Sequence, residues 1–424
     1  MKERLLHFIW QNKLFNTKDL KTIEGNAIQI IEFGKYNKDG GPDFIQAKIK
    51  IDDIFLIGNI ELHVRASDWK RHKHQYDKKY DTVILHVVYF NDCNDIKLPT
   101  LELNGLVSGI LLNKYDAMMN QTETLICKNL IGEADSFTLE NWKERLVIER
   151  MERKSKDILF NLKVNNNDWE RTCYQLLGKY FGSHINKEPF ELLTHLLDYK
   201  ILLKHQDSIF QMEALLFGVA GFLNKDFVEI YPRALKQEYL FLKQKFNLKE
   251  VREHHWQLLR IRPVSFPAIR LAWFAQVIKQ MPFMQNIISK NADVLINNIE
   301  ISEYWNEHYM FDKLSIHKAK HPGKEFKSVL QVNVFAAVLF AYGRSINDNQ
   351  YIEKAMDVLS NIPPENNAKT LIFSNENLNL KHAFDSQALI ELHDNYCVKK
   401  RCLECGIGHK ILRTQNAAAL SNIH

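Results

Sequence analysis

The chain has 424 residues, of which 46% are hydrophobic and 25% charged, and it contains 16 glycines and 10 prolines. This length is sufficient for roughly two or three domains, and the composition excludes a fibrous or intrinsically disordered protein. The 56 basic and 51 acidic side chains leave a formal net charge of only +5, which permits a nucleic-acid partner without indicating one.

The N-terminal segment and the cysteine content predict a cytoplasmic protein. The apolar run in the first 15 residues is interrupted by His7 and is followed by no small-residue cleavage site, so we expect no signal peptide. No stretch contains the roughly 18 uninterrupted apolar residues that a membrane span requires, so we expect no membrane association. The six cysteines are few for a secreted chain, and half of them lie in one short segment.

The first third of the sequence combines helical and extended patterns. The predicted elements are, in order, a helix at residues 2–15, strands at Ala27–Phe33, Phe44–Ile51 and Ile54–Val64, a helix at Asp68–Lys79, a strand at Thr82–Phe90, a short strand at Leu101–Leu103 and a helix at Ile110–Met119. This order predicts an α+β domain at residues 1–135.

From about Ser136 onward the strand signal disappears and long helical patterns follow. The predicted helices are Thr138–Asn161, Asp168–Phe181, Pro189–Lys204, Met212–Phe222, Tyr231–Phe246, Ala268–Met281, Lys327–Tyr342 and Asn349–Asn361. No fixed-period repeat links them, which argues against a regular solenoid. We therefore predict a larger, mainly α-helical domain at residues 136–424, with a cysteine cluster at 396–409.

An acidic pair in the predicted sheet is the first candidate site. Asp43 follows Gly-Gly-Pro just before the second strand, while Glu61, His63 and Arg65 share one face of the third strand because alternate residues point to the same side. A hairpin could bring Asp43 beside Glu61, and two such carboxylates can hold a divalent cation. Two other interpretations stay open: Asp43 as a turn residue, and Glu61 with His63 as part of a solvated outer face.

The order helix, three strands, helix, strand, with Asp43 opening the second strand and Glu61-Leu62-His63 in the third, resembles the PD-(D/E)xK nuclease core. The resemblance implies Mg²⁺ (or Mn²⁺) bound at the acidic pair and hydrolysis of phosphodiester bonds in DNA or RNA. His63 stands where the motif usually has lysine, and an imidazole could serve there as a general base.

The same resemblance suggests further site residues. A glutamine and a tyrosine often follow on the next helix, and Gln75, with Tyr76 or Tyr80, stands in that region. Lys48 or Lys50 on the neighbouring strand could replace the missing lysine in space, and Lys48 and Arg65 are candidates for substrate binding.

The whole chain also resembles an uncharacterised bacterial family known as domain of unknown function 2851. The matching residues are Gly41-Pro42-Asp43-Phe44, Gly58 to His63, Ser67-Asp68-Trp69, His72-Lys73-His74, Leu85-His86-Val87-Val88, Arg262-Pro263, Phe266-Pro267, Arg270 and the terminal cysteine segment. This resemblance implies an architecture and no particular chemistry.

Three further histidines lie close in sequence to the acidic pair. On a helix, His72 and His74 would point in different directions, and His86 in an apolar strand is typical of a hydrogen-bonded core histidine. We leave all three out of the primary catalytic set. The alternative is that His63, one of His72 and His74, and His86 bind a transition metal together with Glu61.

The C-terminal segment carries a second possible metal site. Cys397, Cys402 and Cys405 follow the spacing C-x4-C-x2-C, and His409 stands four residues further on. Structural zinc requires four ligands, and an iron–sulfur cluster is commonly held by four thiolates. The fourth ligand could be His409, or Cys127 or Cys173 from elsewhere in the chain. The alternative is that the thiols pack as small apolar groups.

Arg262 and Arg270, which bracket a proline-containing loop beside Phe266, are candidates for binding a phosphate backbone. The alternative is a rigid turn whose arginines pair with local carboxylates. The leading hypothesis is thus a metal-dependent nuclease-like protein, with the helical domain contacting nucleic acid or a protein partner. A non-catalytic adaptor with a degenerate nuclease core, and a zinc or iron enzyme built on the histidines, are the alternatives.

Overall fold

The structure, a computed structural model, describes residues 1–120, 125–289, 292–297, 299–373, 378 and 380–421. The chain divides into two compact units. The first contains Met1–Lys143, Ile372–Leu378 and Leu392–His424, and the second contains Glu144–Leu371 and Asn379–Glu391. The predicted domain boundary after residue 135 stays a prediction, but the cysteine segment, which we had assigned to the helical domain, packs with the unit that contains the sheet.

The first unit is built on a mixed six-stranded sheet, which confirms the predicted α+β class. Its strands are β1 Ile28–Glu32, β2 Lys35–Tyr36, β3 Phe44–Ile51, β4 Ile54–Arg65, β5 Val83–Phe90 and β6 Thr100–Glu102. The spatial order is β1-β3-β4-β5-β6, and β2 also pairs with β3. Strand β3 pairs antiparallel with β1, β2 and β4, whereas the β4–β5 and β5–β6 pairings are parallel.

One face of the sheet is fully apolar. Ala47 and Ile49 of β3, Leu62 of β4 and Val87 of β5 are completely buried, as the alternation in the sequence predicts. Helix α1 (Glu3–Gln11) contacts β4 and buries a continuous run of side chains from Leu5 to Trp10. Helices α3 (Gly109–Asn120) and α19 (Gly406–Ser421) also belong to this unit and contact each other.

The opposite face of β4 and β5 is covered by residues 66–80 at the crossover between these parallel strands. The predicted helix Asp68–Lys79 is wrong: α2 spans only Asp68–Arg71, and two 3-10 turns follow it, His74–Tyr76 and Lys78–Tyr80. The helix ends because Lys73 adopts a left-handed conformation with φ of 62°. Beneath the turns lies an apolar cluster of Ala66, Trp69, Val83, Val88 and Ile96.

Gly58 allows β4 and β5 to approach closely. A Cβ at this position would lie 2.4 Å from Ile84 Cγ2 and 2.6 Å from the Thr82 carbonyl oxygen. The glycine therefore sets the separation of the two strands that carry Glu61 and His86.

The second unit is mostly helical, as predicted. Its elements are α4 Ser136–Val164, whose first residues belong to the first unit, then α5 Trp169–Phe181, α6 Lys187–Leu196, α7 Tyr199–Leu203, α8 Ile209–Val219, α9 Ile230–Phe246, α10 Pro267–Ile278, α11 Phe283–Ile288, α12 Val294–Asn297, α13 Tyr304–Glu307, β7 His308–Met310, β8 Lys313–Leu314, α14 Lys324–Leu330, α15 Ala336–Ile346, α16 Asn349–Ser360, α17 Ala368–Leu371 and α18 Ala383–Leu392.

Two sequence predictions in this unit need correction. The prediction that no strand follows residue 136 is wrong, because β7 and β8 pair as a short antiparallel hairpin. The predicted helix Pro189–Lys204 is divided into α6 and α7, since the side chain of Asp198 accepts a hydrogen bond from Lys200 N and caps a new helix there.

One helical stretch of the described chain, Lys324–Ile346, is long and apolar enough to cross a membrane by length and composition, and 61% of its most apolar window is buried inside the protein. Core helices of soluble proteins have the same properties, and this stretch contributes Leu330, Val338 and Ala341 to the protein interior.

Candidate metal centre

Asp43 and Glu61 lie side by side where β3 begins. The backbone N–H of Asp43 donates to Glu61 Oε2 at 3.0 Å, and the backbone N–H of Leu62 donates to Asp43 Oδ2 at 3.0 Å. His7 of α1 approaches from the other side, with its Nε2 3.2 Å from Asp43 Oδ2. The antiparallel β3–β4 pairing, in which Phe44 faces Ile60, produces this arrangement because it brings residues 43 and 61 together.

His63 is the centre of a group of four imidazoles. Its Nδ1 lies 2.9 Å from His86 Nε2, and its Nε2 lies 3.2 Å from His72 Nδ1. The parallel register pairs Glu61 with His86, so both side chains lie on the same face of the sheet as His63. Glu61 is 5% exposed and His63 is 1% exposed, so they do not form the solvated outer face considered as an alternative.

The short helix α2 and the left-handed turn at Lys73 bring His72 and His74 together. Their rings lie 5.4 Å apart between centroids, and the ring of His74 stacks on Tyr80 at 3.8 Å. We had expected these two imidazoles to diverge because we placed both on one helix. The turn removes that geometry, and one ligand atom each from His63, His72 and His74 lie within 4.8 Å of one another.

The carboxyl group of Glu61 lies beside these three ligand atoms. Its Oε1 lies 3.4 Å from His74 Nε2 and 3.7 Å from His63 Nε2. A tetrahedral ion with metal–nitrogen bonds of 2.0–2.1 Å holds its ligand atoms roughly 3.4 Å apart. The observed separations of 3.2, 3.4 and 3.7 Å are close to that value. The buried Nε2 of His74 also has no hydrogen-bond partner among the described residues.

The electrostatics of the carboxylate pair favour a bound cation. Burial raises the pKa of Glu61 to about 9, and the negative charge of Asp43 adds to the effect. Glu61, buried beside the carboxylate of Asp43, ionises at neutral pH only if a compensating positive charge lies nearby. A divalent cation would supply that charge.

Three of the imidazoles, those of His63, His74 and His86, have lowered pKa values, which favour the neutral form that binds metal ions. Burial lowers the pKa of His63 to about 2, and the neighbouring rings of His86, His74 and His72 lower it further. Burial likewise lowers the pKa of His86 to about 4 and shifts the pKa of His74 downward. His63 is therefore too weak a base to abstract a proton from water at neutral pH, and its accessible chemistry is that of a ligand.

The centre is open to solvent on one side. His72 is exposed, and His74 lines a cavity of about 370 Å³ together with Trp69, Gln75 and Tyr80. Gln75, which we had placed in the catalytic set, thus lies at the mouth of the centre. The segment that carries the histidines also exposes three lysines that form no ion pair among the described residues, namely Lys73, Lys78 and Lys79.

Comparison with known families identifies the chain. The family model described as protein of unknown function (DUF2851) matches residues 3–368. The chain belongs to this family. Comparisons with curated proteins and with solved structures return no match.

The other predicted residues of the sheet lie apart from the centre in this DUF2851 chain. Lys48 Nζ pairs with Glu32 at 2.7 Å, and Lys50 Nζ pairs with Asp53 at 3.2 Å. Lys48 pairs with Ile57, and Ile57 precedes Glu61 by roughly 13 Å along β4. Lys48 therefore does not occupy the lysine position of a nuclease motif. Arg65 is exposed, with its Nη1 3.6 Å from Asp92 Oδ2.

Arg262 and Arg270 belong to the second unit. Arg262 is exposed, but Arg270 is only 8% exposed, and its guanidinium lies 3.8 Å from the centroid of the Phe326 ring and 5.0 Å from that of Trp273. Burial lowers the pKa of Arg270 to about 10. This side chain packs in the interior, which removes it from the surface along which a nucleic acid would run.

Sequence reasoning missed His7 altogether and set aside His72, His74 and His86. The sequence does show His72 and His74 separated by one residue. We did not combine them in one site because we predicted a continuous helix there, on which they would point in different directions. Nothing in the local sequence links His7 to Asp43, because that contact depends on how α1 packs on the sheet.

Proposed function

We propose that the protein is a metal-dependent hydrolase that cleaves phosphodiester bonds, with its ion bound by His63, His72 and His74, with Glu61 beside them and a fourth coordination position left for water. The observation that supports this most directly is the group of three histidine ligand atoms that lie within 4.8 Å of one another, with a Glu61 oxygen 3.4 Å from His74 Nε2 and 3.7 Å from His63 Nε2. Imidazole ligands suit zinc and iron, and the neighbouring carboxylate also suits manganese, whereas magnesium prefers oxygen ligands throughout. We therefore expect Mn²⁺, Fe²⁺ or Zn²⁺ in place of the Mg²⁺ anticipated from the acidic pair alone.

A bound metal would supply Lewis acidity and a water of lowered pKa for attack on phosphorus. The chain's own residues would hold the ion in place. In the tautomer in which His63 Nδ1 donates its proton to His86 Nε2, the lone pair of His63 Nε2 can bind the ion in place of its contact with His72. Asp43, whose Oδ2 accepts the Leu62 N–H, holds β4 in register and adds a second negative charge beside Glu61.

The phosphodiester substrate is proposed from two features. The surface beside the centre carries Lys73, Lys78 and Lys79, which would attract a polyanion. The element order around Asp43 and Glu61 also resembles the PD-(D/E)xK core. Phosphate contacts alone carry no sequence information, so we expect either DNA or RNA to bind through its backbone.

A direct test is hydrolysis by purified protein. The metal-stripped full chain would be supplied separately with Mg²⁺, Mn²⁺, Fe²⁺ or Zn²⁺ and assayed on single-stranded and duplex DNA, RNA and a chromogenic phosphodiester. We expect cleavage with one of the last three metals, lost in His72→Ala and His74→Ala. His255→Ala, an exposed histidine of the second unit, is the matched control. Equal activity in all three variants would reject the proposal.

One observation favours a second function, that of a non-catalytic nucleic-acid or protein adaptor. His63 uses both ring nitrogens within the protein, to His86 and His72, and cannot activate water itself. An adaptor would bind nucleic acid or a protein without cleaving any substrate, whether or not it holds the ion. We also propose a cytoplasmic location, on the sequence features given above.

A further inference from the structure

Four cysteines converge in the first unit, three from the C-terminal segment and one from much earlier in the chain. Cys127 lies between α3 and α4, Cys397 ends a π-helical turn at His393–Cys397, and Cys402 and Cys405 precede α19. Each is at least nine-tenths buried, with exposed fractions of 7%, 9%, 7% and 6%. All four line one small cavity, which also contacts Ile126 and Tyr396.

The structure distinguishes the candidates for the fourth ligand. The Nε2 of His409 lies 2.9 Å from Asn12 Oδ1, and its ring packs on Phe8 at 5.1 Å between centroids, so this imidazole is committed to α1. Cys173 lies in α5 of the second unit. Cys127 is the residue that joins the C-terminal three.

The thiols influence one another electrostatically. Burial raises the pKa of Cys397, and the neighbouring thiols of Cys405, Cys127 and Cys402 raise it further. The pKa of Cys402 rises for the same reasons, burial first and then Cys405 and Cys127.

The loop around Cys405 is shaped to hold a thiolate. The backbone N–H groups of Gly408 and Ile407, at the start of α19, donate to its sulfur and oppose the rise that burial causes in its pKa. A Cβ at position 408 would lie 2.4 Å from the Cys402 carbonyl oxygen, so the glycine lets the loop close over itself. Such donors at a helix start stabilise negative sulfur.

We propose that Cys127, Cys397, Cys402 and Cys405 bind an iron–sulfur cluster. A single zinc ion with bonds of about 2.3 Å would hold its sulfurs roughly 3.8 Å apart. Within the described part of the chain, the group of three or more metal-ligand atoms that lie within 4.8 Å of one another is the histidine set. No three of the four thiol sulfurs form such a group among the described residues, so no three of them are spaced as one zinc ion requires, and four thiolates are the usual ligands of a cluster.

The proposal is independent of the histidine centre and is tested separately. The full chain would be produced with added iron, purified without oxygen and analysed for iron, zinc and acid-labile sulfide, with visible absorption and paramagnetic resonance after reduction. We expect iron and sulfide in equal amounts. Stoichiometric zinc, or no metal, would overturn the proposal.

Variants identify the ligands. Cys127→Ser and Cys402→Ser should lose most of the iron and sulfide, whereas Cys93→Ser, a half-buried cysteine of the same unit, should retain both. Full retention in Cys127→Ser would overturn the assignment. If the ligand variants do not fold, iron X-ray absorption on the unmodified protein still decides, because the cluster requires iron bound by sulfur with a second iron nearby.

Discussion

The substitution Glu61→Gln separates two effects of this carboxyl group. One is its effect on the free energy of unfolding of the metal-free protein, and the other is its contribution to metal binding. With its pKa raised to about 9, Glu61 is protonated in the folded, metal-free chain at neutral pH. The unfolded chain ionises near its ordinary value of 4.5. Between these two values the folded state binds one more proton than the unfolded state.

The stability that Glu61 contributes is therefore complete below about pH 4.5 and is lost progressively as the pH rises toward about 9. Each pH unit in this window removes about 1.4 kcal/mol. Glutamine does not titrate and keeps an oxygen that can accept the Asp43 N–H. As the pH rises from about 5 to about 7.5, the free energy of unfolding of the wild type should fall by about 3 kcal/mol relative to that of Glu61→Gln.

A saturating metal should largely cancel this difference. An ion at about 100 times its dissociation constant stabilises the wild type by about 2.7 kcal/mol, and the variant, which lacks the negative charge beside the ion, should gain much less. Urea unfolding in chelator and in Zn²⁺ or Mn²⁺ measures both effects, and the infrared band of a protonated carboxyl reports the charge directly. Glu32→Gln, an exposed carboxyl on β1, is the control. A stability difference that does not change with pH would refute the reasoning.

Three further predictions concern the surroundings of the centre. His86→Ala removes the partner of His63 Nδ1 and should weaken metal binding by about 10- to 100-fold in calorimetry; unchanged affinity would contradict the orienting role. Gly58→Ala should lower the free energy of unfolding by about 1–3 kcal/mol, because its Cβ meets the Thr82 carbonyl at 2.6 Å; an unaltered melting curve would contradict this close packing. Replacing Lys73, Lys78 and Lys79 by glutamate should weaken nucleic-acid binding and its salt dependence while metal content stays constant, and equal binding would exclude this surface.

The sheet and the acidic pair could be predicted because they depend on local patterns. Alternation placed Glu61 and His63 on one face of β4, and the short connection between β3 and β4 determined which residues pair. The hairpin that brings Asp43 to Glu61 follows from that register.

The remainder of the centre could not be predicted in the same way. Left-handed backbone is usually occupied by glycine or asparagine, so a lysine at residue 73 gives no local sign that the helix ends. Cys127 and its three partners meet only through tertiary packing. Arg270 looked like a surface residue because the sequence does not show that Phe326 and Trp273 enclose it.

The composition of the first unit has a consequence for biosynthesis. This unit takes Leu392–His424 from the far end of the chain, whereas the second unit is drawn entirely from residues 144–391. During translation the helical unit can therefore finish folding while the first unit still lacks its last elements, α19 among them. More than half of the chain is synthesised after the sheet and before the last segment of the first unit. A chaperone that binds the incomplete first unit during this interval should raise the yield of folded protein.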